Sequence, residues 1–388
     1  MRKHILIINH NQEWFGTYWR CKNIGSQLVR LGYDVSMICA SGSTCDFKIR
    51  RKSVAKGFTI VTLPRFKYHK YFSGQILRLF LTAFIVLFGR FDVCYAFTVA
   101  QPQIGIPAWI SKTLRRKPLI IDWDDMWGGG FADMHGSAVR AVLSFCEVFF
   151  LRYADRITYV SESIGARIDA IKCITAPKIK VINGAAVESV PVIEKISAQQ
   201  SLGLLPGRRY FVSIGNTYTE SVGVMFRAFE IVKKEIDDVC LVMVGDCNVG
   251  PQYSSLLENI KAAVIFEGAQ PFDRVPLYLG AADCLILPME NNPIEHARFP
   301  MRLGDYLCAQ RPIVSNAVGE VKRYLERYNA GLTSNPSDAF ELAENMIKVL
   351  NDDELSERIA SNARKLAENE MNWNNIGERI VGEVFLAL

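Results

Sequence analysis

Long hydrophobic runs are missing from this 388-residue chain. Its most apolar stretch, Ile76 to Phe88, is only thirteen residues and is interrupted by Arg78, whereas a bilayer span takes about 20 residues. The start, MRKHILIINHNQ, is basic but its apolar part is four residues long and ends in polar ones. That fails as a signal peptide and predicts a first β-strand. The ten cysteines are scattered from Cys21 to Cys308 without a Cys-x-x-Cys pair or His-rich spacing. A zinc site and a disulfide framework are excluded on that basis, and the thiols read as reduced core residues of a cytoplasmic protein. Neither GxGxxG nor GxxxxGK[ST] occurs, which lowers the dinucleotide-fingerprint and P-loop readings.

What is present is an apolar fraction of 49%, ample for packed cores, in a chain too long for one typical domain. Short apolar runs alternate with longer helical patterns, the order that predicts an α/β fold with parallel sheets and helices on both faces. Strands are expected at Ile5 to Ile8, Asp34 to Cys39, Asp92 to Ala96, Leu119 to Asp122 and Arg156 to Val160, with helices such as Tyr18 to Leu31 between them. Val187 to Ser201 has weak periodicity and suits an interdomain linker. A second series follows, with strands near Tyr210 to Ile214, Val239 to Val244, Val264 to Phe266, Cys284 to Leu287 and Ile313 to Ser315. The expected organisation is two doubly wound, Rossmann-like domains, 1–190 and 191–370, with a final helix at 371–388. Ligands of open α/β sheets sit at the carboxyl ends of the strands.

The run ARFPMRLGDYLCAQRPIV, Ala297 to Val314, combines a helix start, a phosphate-sized positive charge and a carboxylate one turn later. Pro300 fits a first helical turn, and Arg302 and Asp305 fall at i and i+3 on one face. A helix N-terminus with an arginine beside it suits a diphosphate, and Asp305 would then reach ribose hydroxyls. An ordinary amphipathic helix, with Leu303, Tyr306 and Leu307 buried and Arg302 paired to Asp305, fits the same pattern.

The segment resembles the donor-binding signature of the retaining family-four glycosyltransferases, and the resemblance runs almost end to end. Similar landmarks are Asp155-Arg156-Ile157 with Ser161-Glu162, Ile182-Asn183-Gly184, Val244-Gly245-Asp246, Ala282-Asp283 leading to Leu287-Pro288, and Trp373 near the end. The resemblance implies the GT-B architecture: two Rossmann-like domains facing a central cleft, with the C-terminal helix crossing back to the first domain. It also implies a nucleoside-diphosphate sugar (UDP or GDP) as donor, no metal, and a donor site that includes Gly16, Thr17, Gly215, Asn216, Glu295, Arg298, Pro300, Arg302 and Asp305. There are departures. Arg302 stands for the family's Lys, and Asp305 for its Glu. Ala297 stands where many members carry a sugar-contacting Glu, with Glu295 nearest. The loop Gly215 to Ser221 lacks the family's diphosphate-clamping Arg and Lys, and Tyr95 to Gly105 lacks its His.

In the first domain, Gly16 permits close backbone approach after the first strand, and Trp14, Phe15, Tyr18 and Trp19 either line an acceptor site or pack. The segment IDWDDMWGGG, Ile121 to Gly130, places three carboxylates and two Trp at a strand end. Asp124 or Asp125 would act on the acceptor hydroxyl, with Trp123 and Trp127 offering faces to a sugar ring. The same carboxylates admit a divalent-metal reading, against which stand Arg302 and the helix dipole as stabilisers of the leaving diphosphate.

From Phe47 to Phe91 the chain has ten Lys or Arg and no acidic residue, so against an overall charge of +5 the remainder carries about −5. Mixed with Phe66, Tyr68, Tyr71, Phe72 and the apolar run, this suits in-plane attachment to an anionic membrane surface. A buried helix beside a solvated basic loop is the plainer reading. No recognition module accompanies these charges, so nucleic acid is not expected. The sequence therefore reads as a glycosyltransferase that moves a sugar from a nucleotide donor to a lipid-linked or saccharide acceptor, in cell-surface glycan synthesis, at the inner membrane face. The two other readings are a nucleotide-sugar epimerase or hydrolase, and a degenerate GT-B carbohydrate-binding protein.

Overall fold

A computed structural model describes residues 2–66, 74–217 and 219–386. Tyr68, Tyr71, Phe72 and Tyr218 lie outside the described residues. The chain forms two compact units, Met1–Asn183 with Trp373–Leu388, and Gly184–Asn372.

The first unit holds β1 (His4–Gln12), β2 (Asp34–Ala40), β3 (Cys45–Asp46), β4 (Arg50–Ala55), β5 (Phe58–Leu63), β6 (Arg65–Phe66), β7 (Val93–Phe97), β8 (Leu119–Trp123), β9 (Arg156–Tyr159) and β10 (Lys178–Lys180). Eight of them form one sheet in the order β10-β9-β8-β7-β1-β2-β5-β4, and all neighbours run parallel except β4 against β5. The central strands are apolar on both faces, as strands covered by helices on each side must be. Ile5, Ile7, Ile8, Cys94, Tyr95, Ala96, Ile120 and Ile121 are all buried. β4 is different. Its sequence RRKSVA has no apolar period, every residue is exposed, and its cations guard the sheet edge against further pairing. That is why a reading of hydrophobic runs does not find it, although the turn glycine Gly57 at φ +90° marks its hairpin with β5.

β1 lies between β2 and β7, so the direction of strand succession reverses there. The carboxyl ends of β1, β7 and β8 are the point where a ligand belongs. The final helix, Trp373–Arg379, packs on the helix Thr17–Arg30. A Cβ at Gly377 would stand 2.6 Å from Gln27 Cβ, so glycine there permits the close approach.

The second unit holds β11 (Arg209–Ile214), β12 (Val239–Val244), β13 (Val264–Gly268), β14 (Cys284–Leu287), β15 (Ile313–Ser315) and β16 (Leu332–Thr333), all parallel, in the order β13-β12-β11-β14-β15-β16. Its switch point lies between β11 and β14. Phe211, Phe226, Phe229, Leu241, Ile286 and Met346 pack in the core of this unit. The stretch expected as a linker, Val187 to Ser201, is only partly one. Glu194 caps a helix Lys195–Ser201 by accepting from the Ile196 and Ser197 amides at 2.9 and 2.7 Å, and Gln199 donates to the Ala281 carbonyl at 3.0 Å. The helix is short, buries Gln199 and exposes Ile196, which hides it from a periodicity reading.

Candidate functional site

In the second unit the Ala297 to Val314 run forms the helix Met301–Cys308. It starts one residue later than the sequence suggests, because Pro300 takes the extended conformation of an N-cap (φ −68°, ψ 133°). Leu303, Gly304, Tyr306 and Leu307 face the core. Tyr306 fixes the helix to the sheet, since its hydroxyl accepts from the Ile214 amide at 2.7 Å and donates to the Ile286 carbonyl at 3.2 Å. Gly304 admits the chain at Gly184, whose carbonyl would lie 2.6 Å from an added Cβ.

This docking aims Arg302 at the switch point. Its guanidinium donates to the carbonyls of Ile214 and Asn216 at 3.4 Å each, and of Pro288 at 3.2 Å. Those carbonyls belong to the end of β11, the loop after it and the loop after β14, so one cation spans the reversal point. Gly215 (φ +96°) and Gly245 (φ +119°) keep this place open. A Cβ at Gly245 would strike the Gly215 backbone at 2.8 Å, and one at Gly215 would press on Arg302 Cδ at 3.4 Å. Asn216 is exposed beside Arg302 and receives the Asp246 amide at 3.3 Å.

Asp305, one turn on, is half-buried and has no hydrogen-bond partner among the described residues. Burial pushes its carboxyl up to about 7. A folded pKa raised above the ordinary carboxylate value means that the native state holds the proton more tightly. Stability then falls as pH rises from about 4 through 7. Asp305→Asn is accordingly expected to melt a few degrees above wild type at pH 8, with the gap closing near pH 4, while nucleotide affinity falls. Melting curves at the two pH values and a nucleotide titration check both halves. A hydrogen-bond acceptor kept at a stability cost is what a hydroxyl-binding carboxylate looks like.

Glu295 and Arg298 pair with each other, Arg298 Nε donating to Glu295 Oε2 at 2.9 Å. Glu295 is buried, and burial raises its carboxyl against the pull of Arg298 and then Arg302. The charge of Arg298 is largely spent on Glu295.

In the first unit the carboxylates of Ile121 to Gly130 divide their roles. Asp122 is a buried anchor. Arg20 grips it through two hydrogen bonds, 2.9 and 2.8 Å, Thr158 donates to it at 2.5 Å, and Arg20 also reaches the Val181 carbonyl at 2.7 Å and Asn183 at 2.8 Å. Breaking such a buried pair costs about 3–5 kcal/mol. Asp124 stands at the switch point proper, receiving the hydroxyls of Thr17 at 2.7 Å and Thr98 at 3.1 Å. Burial, then Asp125 and Asp122, push its carboxyl up to about 8 against the pull of Arg20 and Thr17. Asp125 is half-buried beside it. Thr17 thus ties the loop after β1 to Asp124, while Gly16 (φ +54°) is exposed at the loop tip.

Trp14 is 58% exposed and remains available to a ligand, with Lys22 Nζ 5.2 Å from its ring centre. One aromatic expectation needs correction: Trp123 is buried, its ring under the Arg167 guanidinium at 5.6 Å and its Nε1 donating to the Asp125 carbonyl at 3.0 Å, because the end of β8 continues the core. Of the two readings of Tyr18, packing is the one found, since the side chain is buried on the helix Thr17–Arg30. Trp127 is half-buried beside His10.

Sequence reading missed four residues that build this place. Arg20 sits on the buried face of its helix with Ile24 and Leu28, a lone cation at core spacing. Thr98 has no such marker. Glu147 is the single carboxylate in the apolar run AVLSFCEVFFL; it is buried, accepts the Trp127 and Gly128 amides at 2.9 and 3.0 Å, and pairs with Arg167 at 3.1 Å. Glu147 and Arg167 therefore hold the glycine-rich loop in place.

Residues 194–366 match the family described as Glycosyl transferases group 1, and residues 15–184 match the Glycosyl transferase 4-like domain. An uncharacterized glycosyltransferase of Methanocaldococcus jannaschii is 23% identical over 95% of this chain and 93% of its own. The Bacillus subtilis protein TuaH, provisionally named a teichuronic acid biosynthesis glycosyltransferase, is 25% identical over 68% of this chain and 66% of its own. Among solved structures, Anabaena HepE in complex with UDP and glucose superposes with a TM-score of 0.72 at 17% identity, covering 99% of each chain.

Proposed function

The chain belongs to the group 1 glycosyl transferases of the GT-B fold, and from that premise we propose that it transfers a sugar from a nucleotide donor, with retention, to a hydroxyl of a lipid-linked or saccharide acceptor in cell-surface glycan synthesis. The observation that carries this reading is Arg302, held by three backbone carbonyls at the switch point of the second unit with the unpartnered Asp305 one turn away. Arg302 and the helix start at Pro300 would stabilise the departing diphosphate, and Asp305 would take the ribose hydroxyls. The nucleotide is UDP or GDP, and UDP has the support of HepE.

On the acceptor side, Asp124 is the base once ionised, with Asp125 beside it, Trp127 on the same loop, and Trp14 exposed on the loop that Thr17 ties to Asp124. The provisional naming of TuaH as a teichuronic acid biosynthesis glycosyltransferase supports a cell-surface glycan product. This reading assigns no step to a metal, since Arg302 and the helix start at Pro300 would carry the charge of the leaving diphosphate.

No helix among the described residues is long and apolar enough to cross a membrane. Attachment in the plane of the inner membrane face is supported by the surface of the first unit. Helix Gln75–Phe88 exposes Phe80, Phe84 and Phe88 at 67%, 61% and 71%, and helix Ser137–Leu151 exposes Val142 and Phe145. Both pack on the helix Pro102–Thr113, and Arg90, Arg116 and Arg140 are exposed.

The test is nucleotide release from UDP- and GDP-sugars with and without polyprenyl-diphosphate-linked saccharide extracts. Release that depends on the acceptor, with kcat/KM rising as pH passes through about 8 and Asp124 ionises, is the expected result. Release without any acceptor would instead make this a hydrolase.

A further inference from the structure

Asp124 and Asp125 lie on a segment that one ion pair grips at both ends. Before them, the Trp123 ring lies under the Arg167 guanidinium at 5.6 Å, and Trp123 Nε1 donates to the Asp125 carbonyl at 3.0 Å. After them, the Trp127 and Gly128 amides donate to the two carboxylate oxygens of Glu147, at 2.9 and 3.0 Å. Arg167 Nη2 closes the clamp by donating to Glu147 Oε2 at 3.1 Å. Glu147 comes from the helix Ser137–Leu151 and Arg167 from the helix Glu162–Ala170.

Gly128, Gly129 and Gly130 bring no side chain to pack, and glycine backbone has the widest freedom of any residue. The order of this loop must therefore come from outside it. A carboxylate that accepts two amides and a guanidinium is a strong, charge-assisted anchor. It is also a costly one. Glu147 is 2% exposed, and burial raises its carboxyl against the pull of the Trp127 amide, Arg167 and the Gly128 amide. The space at Gly128 is fitted to the same contact, since an added Cβ would stand 2.7 Å from Arg167 Nη2 and 2.9 Å from Glu147 Oε2.

We propose that Glu147 and Arg167 are positioning residues for the acceptor-side chemistry, fixing Asp125 against Asp124 through the loop they clamp. The inference rests on the sugar-transfer reading, in which Asp124 is the base. Asp124 itself is tied down by Thr17 and Thr98, so the clamp acts chiefly on its neighbour. The charged and titratable groups that face Asp124 are Asp122 and Asp125 from its own segment and Arg20 and Cys21 from the helix Thr17–Arg30. Arg20 and Asp122 are locked to each other, and burial keeps the Cys21 thiol neutral. Asp125 is therefore the charge that the loop can move. Burial first and Asp125 second push the Asp124 carboxyl up to about 8. A released loop admits water and lets Asp125 draw away, so Asp124 would ionise at lower pH and act as a weaker, misplaced base.

The experiment compares wild type, Glu147→Gln, Gly128→Ala and Asp124→Asn in acceptor-dependent nucleotide release. It uses the UDP- or GDP-sugar that wild type turns over, with polyprenyl-diphosphate-linked saccharide extracts, and follows hydrogen exchange of segment 124–130 by mass spectrometry. Glu147→Gln breaks the ion pair, whereas Gly128→Ala keeps both charges and pushes them off the loop. Both are expected to speed exchange in the segment and to lower kcat about ten- to a hundredfold, the loss that a displacement of about 1 Å brings. The midpoint of the pH profile should move below that of wild type, while nucleotide affinity stays within about twofold. A loss of kcat with the midpoint unmoved overturns the positioning role, because a merely destabilised enzyme loses active molecules without altering its base. Unchanged exchange, or faster exchange with unchanged kcat, overturns it as well. If Glu147→Gln does not fold, Gly128→Ala carries the same test. Wild-type turnover in Asp124→Asn overturns the base assignment, and the positioning role falls with it. Turnover lost in Asp124→Asn but kept in both clamp variants overturns the positioning role alone.

Discussion

Arg302→Ala is expected to abolish the thermal shift produced by UDP or GDP and to lower turnover by about a hundred- to a thousandfold, the loss that follows removal of one preorganised charge-stabilising group. The size follows from how little else is available. The loop that begins at Gly215 and ends at Ser221 contains no cation, and Arg298 is committed to Glu295. On the proposed reading, the negative charge that develops on a departing diphosphate would therefore fall on Arg302 and on the amides of its helix start. The guanidinium is already oriented by the carbonyls of Ile214, Asn216 and Pro288, so little reorganisation is needed when the charge appears. Arg302→Lys keeps the charge but cannot span three carbonyls with a single ammonium. It should recover nucleotide binding better than turnover. Unchanged kcat/KM in Arg302→Ala would remove the diphosphate role altogether. A melting temperature close to wild type is expected for the apo variant, because the three carbonyls lie at strand ends and can turn to water.

The legibility of these features differs for physical reasons. β11, β12 and β14 read directly from the sequence because strands covered on both faces are continuous apolar runs, and so are β1, β7 and β8. β4 and β10 do not, since RRKSVA and KIK sit at sheet edges where nothing requires burial. Arg302 and Asp305 were recognisable because their relation is local, one helical turn after a proline. Arg20 and Asp122 were not paired by any sequence signal, as 102 residues separate them, and only the sheet order brings the first helix over β8. Trp123 and Trp127 look alike in the sequence, four residues apart, but Trp123 is the last residue of the buried strand β8 whereas Trp127 lies on the glycine-rich loop after it. Glu147 fixes that loop through the Trp127 and Gly128 amides, a contact from a distant helix that the glycine-rich sequence does not encode.

The triple variant Phe80→Ser, Phe84→Ser, Phe88→Ser is expected to lose binding to vesicles containing phosphatidylglycerol by about a hundredfold to a thousandfold. The three rings recur at i, i+4 and i+8 on the outer face of helix Gln75–Phe88, while Thr82 and Val86 face inward and are buried. Full burial of a phenylalanine contributes about 1.5–3 kcal/mol, so even half-immersed rings sum to several kcal/mol, and 1.4 kcal/mol is tenfold in affinity. Val142 and Phe145 of helix Ser137–Leu151, which packs on the same helix Pro102–Thr113, are exposed as well. The exposed Arg90, Arg116 and Arg140 add about 1 kcal/mol each near anionic headgroups, a contribution that salt screens. Wild-type binding should therefore weaken at high salt and with phosphatidylcholine alone, without vanishing, whereas the triple variant should fail in every lipid. Serine at three exposed positions removes no buried contact, so folding and turnover on a short soluble acceptor should persist. Vesicle co-sedimentation decides the matter: equal binding by wild type and the variant would move the attachment elsewhere, and no binding by wild type would end the membrane reading. If turnover on a lipid-linked acceptor falls with vesicle binding while turnover on the soluble acceptor holds, the Phe face delivers the enzyme to a substrate that is itself confined to the membrane surface.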